Sequence, residues 1–439
     1  MRAFFASIGR GAAWKLGADL LGRVLQYALL WAAARALAPA DFGDFTFALS
    51  IGLMLAQVAD FGLQLFVQRE LARLAVPDAA AHPYFTDEQA AGRLVGGALV
   101  IKGFLSLVAL ALMTVVLLAE PVGNKAALFL LGVSAVLATG LDYLSYCFRA
   151  LRRLRYEAMG LVLARLVNLV TGLAFLLLGG GVWGLAVSAN LAMLVAIAFL
   201  YSRLERYVRP LFSVHGQYWR RVLAQPTAIG IGVIFSIISF RVDNLLIPPI
   251  SGREALGLYN VAYKLFEPSQ IIPGVLLAAT FPLLSQVAHD ARSLRNLLAH
   301  NLGLLLGVGA LVTLAIIVFS TPVLTLLYGA TFAQSAPVLR VLALACVPMY
   351  LNYLLTHALI AMDRPRLYAA FTLAGLVVNV AANLVLIPAM GIAGAAWATV
   401  GTEAVLLALC LAAVARQVRA GNIRATGDVL PGPSVEGLP

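Results

Sequence analysis

Apolar runs of twenty or more residues recur along this chain, separated by short turns rich in Gly, Pro, Arg and Asp. About 20 residues at 1.5 Å each cover the roughly 30 Å of a bilayer's hydrocarbon. The pattern predicts membrane-spanning helices at 15–38, 43–66, 94–119, 126–148, 157–179, 182–203, 222–249, 255–284, 296–320, 334–361, 367–388 and 391–415. The expected fold class is an all-α polytopic membrane protein of about twelve transmembrane helices. The eighth span is long and carries Pro268, Pro273 and Pro282, so a bend is predicted there. Residues Met1 to Trp14 set Phe4, Phe5, Ile8 and Trp14 against Arg2 and Arg10, as an interfacial amphipathic lead-in would, and no cleavable leader is expected. Residues 417–439, rich in Gly and Pro from Gly421 on, read as a disordered cytoplasmic tail.

Composition agrees with that pattern. Hydrophobic residues are 62% and charged residues 12%, whereas a water-soluble domain carries about 25% charge. The formal charge of +11 could point to nucleic acid. Its distribution points elsewhere. Of the 31 basic residues, only Arg35, Lys125 and Arg253 fall in odd-numbered loops, and Arg23, Lys102, Arg165, Arg241, Lys264 and Arg340 fall within spans. The rest occupy the N-terminus, the even-numbered loops and the tail. Basic residues concentrate on the cytoplasmic side, so both termini and the Arg203–Arg221 loop are expected there, with Gly180 and Tyr328 facing the periplasm. The expected location is a bacterial inner membrane, and no nucleic-acid partner is expected. Cys147, Cys346 and Cys410 lie in apolar stretches without metal-site spacing and read as packing residues.

The chain also resembles itself. Gly43-Asp-Phe-Thr-Phe-Ala48 and Gly257-Leu-Tyr-Asn-Val-Ala262 share a G-x-aromatic-x-x-A pattern. Ala150-Leu-Arg-Arg-Leu-Arg155 corresponds to Ala361-Met-Asp-Arg-Pro-Arg366, Asn168 to Asn379, and Gly181-Val-Trp-Gly184 to Gly391-Ile-Ala-Gly394. These matches run in order at a nearly constant offset. They predict two six-helix lobes, 1–205 and 206–416, related by a pseudo-twofold axis along the membrane normal. The first 205 residues hold only Pro39, Pro77, Pro83 and Pro121 of the 19 prolines, all in loops, so bending is expected in the second lobe.

Several of these segments resemble a known family. Arg35-Ala-Leu-Ala-Pro-Ala-Asp-Phe-Gly43, Asp60-Phe-Gly-Leu63 and Arg69-Glu70 are similar to the N-terminal half of bacterial polysaccharide exporters. Asp243, Gly252-Arg-Glu-Ala-Leu-Gly-Leu-Tyr-Asn-Val-Ala-Tyr-Lys264, Phe281-Pro282, Leu327-Tyr-Gly329 and Gly391-Ile-Ala-Gly-Ala-Ala-Trp397 resemble the second half. That family belongs to the multidrug, oligosaccharidyl-lipid and polysaccharide exporter superfamily. The resemblance implies an O-antigen-type flippase that moves a polyprenyl-pyrophosphate-linked oligosaccharide to the periplasmic leaflet by alternating access. Such an activity would serve surface polysaccharide synthesis (O-antigen, capsule or exopolysaccharide). The partners it implies are the lipid-linked oligosaccharide and membrane lipids, with polysaccharide polymerase and glycosyltransferases alongside.

Charges inside spans are where function is expected, because an unpaired charge at the bilayer centre costs at least about 2.5–3.5 kcal/mol. Arg23, Lys102, Arg165, Arg241 and Lys264 lie too deep to snorkel and are candidate pyrophosphate contacts. Tyr259 and Tyr263 are candidate glycan contacts. Glu403, mid-span, leads the candidates for a coupling H⁺ or Na⁺, with Asp243, Asp60 and Glu267. The competing expectation is that Asp60, Asp243 and Glu267 simply neutralise the bases. Gly303-x-x-x-Gly307 reads as a helix-packing site, and His357 as a packed, hydrogen-bonded histidine. No catalytic constellation, metal site or cofactor is expected. A multidrug exporter of the same fold and a membrane-embedded polymerase or ligase are the alternatives.

Overall fold

The computed structural model describes residues 2–60, 62–75, 87–119, 124–212, 228–288 and 290–420, and among them every element is helical. The first half contains α1 (Arg2–Ala36), α2 (Pro39–Asp60), α3 (Leu63–Leu74), α4 (Glu88–Ala119), α5 (Lys125–Ala150), α6 (Leu154–Leu177) and α7 (Gly181–Leu204). The second contains α8 (Ala228–Ser239), α9 (Asp243–Ser251), α10 (Arg253–Phe266), α11 (Ile271–Val287) and α12 (Ala291–Tyr328). It ends with α13 (Ala336–Leu344), α14 (Cys346–Ala361), α15 (Pro365–Met390) and α16 (Ile392–Ala420). Among the described residues, nine candidate spans are long and apolar enough to cross a membrane, counting α8–α9 and α13–α14 as single spans. The remaining elements, α1, α2 and the α10–α11 pair, are also long enough. The chain is an all-α polytopic membrane protein of about twelve spans in two lobes. The tail beyond Ala420 lies outside the described residues, as do the side chains of residues 1–14.

Three departures from the sequence pattern matter for function. The second span stops at Asp60, short of the expected residue 66, because Gly62 adopts φ 77° and redirects the chain. The following α3 is amphipathic and buries Leu63, Val67 and Leu71. Asp60 therefore ends a helix instead of lying inside one. The seventh span breaks at residues 240–242, between α8 and α9, and the tenth breaks at Ala345, between α13 and α14. The eighth bends as expected, through a 3₁₀ turn at Glu267–Gln270 that contains Pro268. Proline offers no backbone N–H to an α-helix. All three internal breaks fall in the second half. Contrary to the packing expected of Gly303 and Gly307, a Cβ added at either meets nothing within 4 Å.

The internal repeat has a structural counterpart. Arg152 and Asp363, the two non-glycine residues with positive φ among those described, sit 211 positions apart with φ of 56° and 57°. The two helix ends close alike: Arg153 N donates to Phe148 O (2.8 Å) and Arg364 N to Leu359 O (2.9 Å). Packing repeats too. α6 lies against α1 and α7, and α15 lies against α8 and α16. Asn168 accepts a hydrogen bond from Ser188 on α7 (3.0 Å), and Asn379 donates to Thr402 on α16 (3.3 Å).

The two halves meet where the repeated glycine motifs face each other. A Cβ at Gly43 would lie 2.0 Å from the Arg253 carbonyl oxygen, and one at Gly257 would lie 2.1 Å from that of Pro39. The contact is reciprocal, as a twofold arrangement requires. Arg253 reinforces it, pairing with Asp44 at 3.3 Å while its guanidinium lies 3.8 Å over the Phe47 ring. Apolar packing follows the same division. One buried cluster joins both halves at this end, through Phe42, Phe47, Leu256, Tyr259 and Phe332. A separate one, including Leu71, Ile101, Tyr143 and Phe148, belongs to the other end of the first half. The lobes are thus closed together at one end.

Gly43→Val should force this contact apart, since overpacking costs about 1–3 kcal/mol. Ala262→Cys, fully buried on α10, reports it through thiol labelling of the purified protein, whose native cysteines are all buried. Labelling should accelerate at least roughly tenfold in the Gly43→Val background. An unchanged rate would show that the glycine contact does not hold the lobes together.

Candidate functional site

Beyond the glycine contact, the lobes enclose a cavity of about 280 Å³. Its first-half wall comes from α1, α2, α5, α6 and α7, and its second-half wall from the α8–α9 break and the end of α10. The charged lining consists of Arg23, Arg165, Arg241, Lys264 and Glu267. Four of the five bases expected to face a ligand therefore share one space.

The helix breaks put them there. Arg241 lies in the non-helical turn between α8 and α9, Lys264 in the last turn of α10, and Glu267 opens the 3₁₀ turn below it. Irregular backbone at membrane depth is tolerated where it lines a cavity. Glu267 bridges both bases: its Oε1 accepts from Arg241 at 3.1 Å and its Oε2 from Lys264 at 2.7 Å. Arg23 and Arg165 have no carboxylate within ion-pair distance among the described residues. Four cations thus face one carboxylate, and the neutralising acids expected from the sequence are mostly engaged elsewhere.

Lys102 and Asp60 are not part of this wall. They form a buried pair at 3.6 Å between α4 and the end of α2, and Lys102 Nζ also donates to Ala59 O at 3.5 Å. Tyr259 is fully buried and donates its hydroxyl to Asp243. Asn260 donates to Asn244 at 2.6 Å beside it, so α9 and α10 are stitched by polar pairs. Tyr263 lies beside Tyr259 with its ring tilted by 32° and reaches a neighbouring space of about 220 Å³ with Gln57, Arg241, Glu267 and Gln270. Glu403 lies apart, bonded by Asn352 in the second lobe. His357 packs as expected, with Nδ1 2.7 Å from Tyr353 O and its ring stacked on Tyr353.

Other polar wall residues were not singled out from the sequence. Gln26 and Tyr27 on α1 and Ser134 on α5 line the cavity with Arg23. The spacing of Asp19, Arg23 and Gln26 marks one polar helix face and could have revealed it. Glu157 was also missed. It is 4% exposed and accepts from Arg149 (2.6 Å) and Lys15 (2.5 Å), tying α1, α5 and α6 together.

The Lys102–Asp60 pair reads as structural. Removing one partner of a buried pair costs about 3–5 kcal/mol, whereas replacing both with apolar residues is often neutral. Lys102→Ala should lower the melting temperature in detergent, and Lys102→Met with Asp60→Leu should restore it. A single variant as stable as the parent would contradict this.

Comparison with known proteins agrees with this architecture. A family described as polysaccharide biosynthesis protein matches residues 8–288, and one described as lipid II flippase MurJ matches residues 158–430. The chain is 25% identical over 197 residues to the succinoglycan biosynthesis transport protein ExoT of Rhizobium meliloti, which is 44% of this chain and 38% of that protein. It is 25% identical over 151 residues to the probable low-salt glycan biosynthesis flippase Agl15 of Haloferax volcanii, 34% of this chain and 32% of that one. These alignments span about a third of each relative's length. Among solved structures, an inward-facing multidrug resistance MATE family transporter of the MOP superfamily superposes with a TM-score of 0.77. It shares 15% identity over 91% of this chain and 96% of its own. The chain belongs to the family described as polysaccharide biosynthesis protein.

Proposed function

We propose that this protein is a flippase for a polyprenyl-pyrophosphate-linked oligosaccharide, moving it from the cytoplasmic to the periplasmic leaflet for surface polysaccharide synthesis. The observation that carries this reading is the inter-lobe cavity in which four bases face one carboxylate. The positive charge lining the cavity exceeds what Glu267 neutralises. A cavity that keeps this excess is complementary to a multiply charged anion, and pyrophosphate is one. The names of the curated relatives, a succinoglycan transport protein and a glycan biosynthesis flippase, support the same substrate class. A multidrug exporter fits less well, because a cationic drug favours an acidic cavity. The reading is one of transport and not of group transfer.

The glycine contact joins the lobes at the end where α2 and α10 begin, which the charge pattern places on the periplasmic side. In this reading the cavity opens toward the cytoplasm, where the substrate is made, and the lobes are residues 1–205 and 206–416. Glu403 and Asp243 are the groups we assign to a coupling H⁺ or Na⁺. Both border a small buried space with Asn379, Thr399 and Thr402. Asp60 and Glu267 act instead through Lys102 and through the Arg241–Lys264 pair.

Two experiments follow. The Arg241→Ala and Lys264→Ala double variant should lose nearly all surface-glycan display at normal protein abundance, and full display would end the cavity assignment. For topology, Gly180→Cys should react with an impermeant thiol reagent in intact cells and Asp363→Cys only after permeabilisation. The opposite pattern would invert the direction of transport.

A further inference from the structure

A second cavity, also of about 280 Å³, lies inside the second half, between α8, α14, α15 and α16. Its chemistry differs from that of the first. No Lys or Arg is among its lining residues. Aromatic faces come from Tyr353, stacked with His357 at 5.0 Å between centroids, and from Tyr368. The polar wall is a buried pair: Asn352 Nδ2 donates to Glu403 Oε2 at 2.7 Å and to the Glu403 carbonyl at 2.9 Å. Asn352 is 4% exposed, and its Oδ1 has no hydrogen-bond partner. A buried acceptor without a donor is costly, so a ligand bringing a hydroxyl or amide N–H would satisfy it.

The two cavities are neighbours, set apart by one intervening space. The central cavity shares Arg241 and Glu267 with the 220 Å³ space around Tyr263, and that space shares Phe240 and Gln270 with the second cavity. The second cavity thus adjoins the central one through this intervening space.

We infer that the second-lobe cavity is a sugar subsite, holding an uncharged or amine-bearing pyranose close to the pyrophosphate. A pyranose carries hydroxyls around an apolar C–H face. Aromatic rings cover such a face, while Asn352 and Glu403 accept from the edge. With no Lys or Arg among the lining residues, a uronic or other acidic sugar is disfavoured beside Glu403. The volume is near the lower end of ligand pockets, about 300 Å³, which suits one ring and not a whole oligosaccharide. The remaining sugars stay in the central space.

This subsite rests on the flippase reading, so its test separates the two. Gln26→Cys reports the central cavity and Ser236→Cys the second one, in full-length protein in lipid nanodiscs with maleimide labelling. Three probes are used: lipid-linked oligosaccharide extracted from native membranes, sugar-free polyprenyl pyrophosphate, and the same glycan released by mild acid. At ten times its Kd a ligand slows labelling about elevenfold at a site it covers. The intact lipid should slow both positions, the sugar-free lipid only Gln26→Cys, and the free glycan should slow Ser236→Cys. Protection of Gln26→Cys by the intact lipid with Ser236→Cys reacting at its unliganded rate would overturn the subsite and leave the flippase reading standing. Slowing of both positions by sugar-free lipid would overturn it too, because lobe closure would then explain the protection. A lipophilic cation such as tetraphenylphosphonium protecting Ser236→Cys where glycan does not would replace the sugar with a drug-like ligand. Failure of either lipid to protect Gln26→Cys would instead refute the flippase reading.

Discussion

Two glycines, Gly43 on α2 and Gly257 on α10, let helices from the two halves meet backbone to backbone, and the rest of the arrangement follows from that contact. Any side chain at either position would strike a carbonyl of the partner helix, so the lobes could not close at this end. Closing here leaves the opposite ends free, and each half keeps its own packing there. The cavity is what remains between them. Because the two motifs are repeats of one pattern, a single geometric solution serves both sides of the interface. Arg253 adds what the glycines cannot, a charge pair to Asp44 and a cation resting on Phe47. In the proposed reading these contacts, polar and local, are the ones a gate would exchange.

The distribution of buried charge divides by the same logic. Bases that have found a carboxylate at close range, Lys102 with Asp60 and Arg149 with Glu157, sit between helices of the first lobe and hold them together. Bases with no partner of their own, or with a shared one, face the inter-lobe space. Glu267 is central to this. By bridging Arg241 and Lys264 it keeps two like charges side by side when the cavity has no anion in it. In the proposed reading, an entering pyrophosphate would compete for both, and that competition would supply a differential contact of the kind alternating access needs.

Much of this was legible in the residues alone. Hydropathy gave the spans, and the Gly43 and Gly257 motifs gave the repeat, because both are local patterns. The common location of Arg23, Arg165, Arg241 and Lys264 was only half visible: their depth could be counted along a helix, but their direction could not. Lys102 has the same apparent depth as Arg165 and turns out to be paired, a difference decided by the early end of α2 at Gly62. Glycine left-handedness is a weak sequence signal when most glycines here are helical. Gly303 and Gly307 failed in the opposite sense, since small-residue spacing carries no information about whether a partner helix is present. The second-lobe cavity was not visible at all. Asn352 and Tyr353 on α14 and Tyr368 on α15 look like ordinary span residues until the fold brings them around Glu403.

The central claim is movement of a lipid-linked oligosaccharide across a bilayer. It is tested most directly in proteoliposomes carrying the purified protein and lipid-linked oligosaccharide from native membranes, with an impermeant glycosidase outside. In protein-free vesicles only the outer-leaflet pool, about half, should be cleaved. With the protein, cleavage should continue to nearly the whole pool, and excess sugar-free polyprenyl pyrophosphate should slow it. Cleavage that stops at the same fraction with and without the protein, in vesicles where its folding and insertion are verified, would contradict the account.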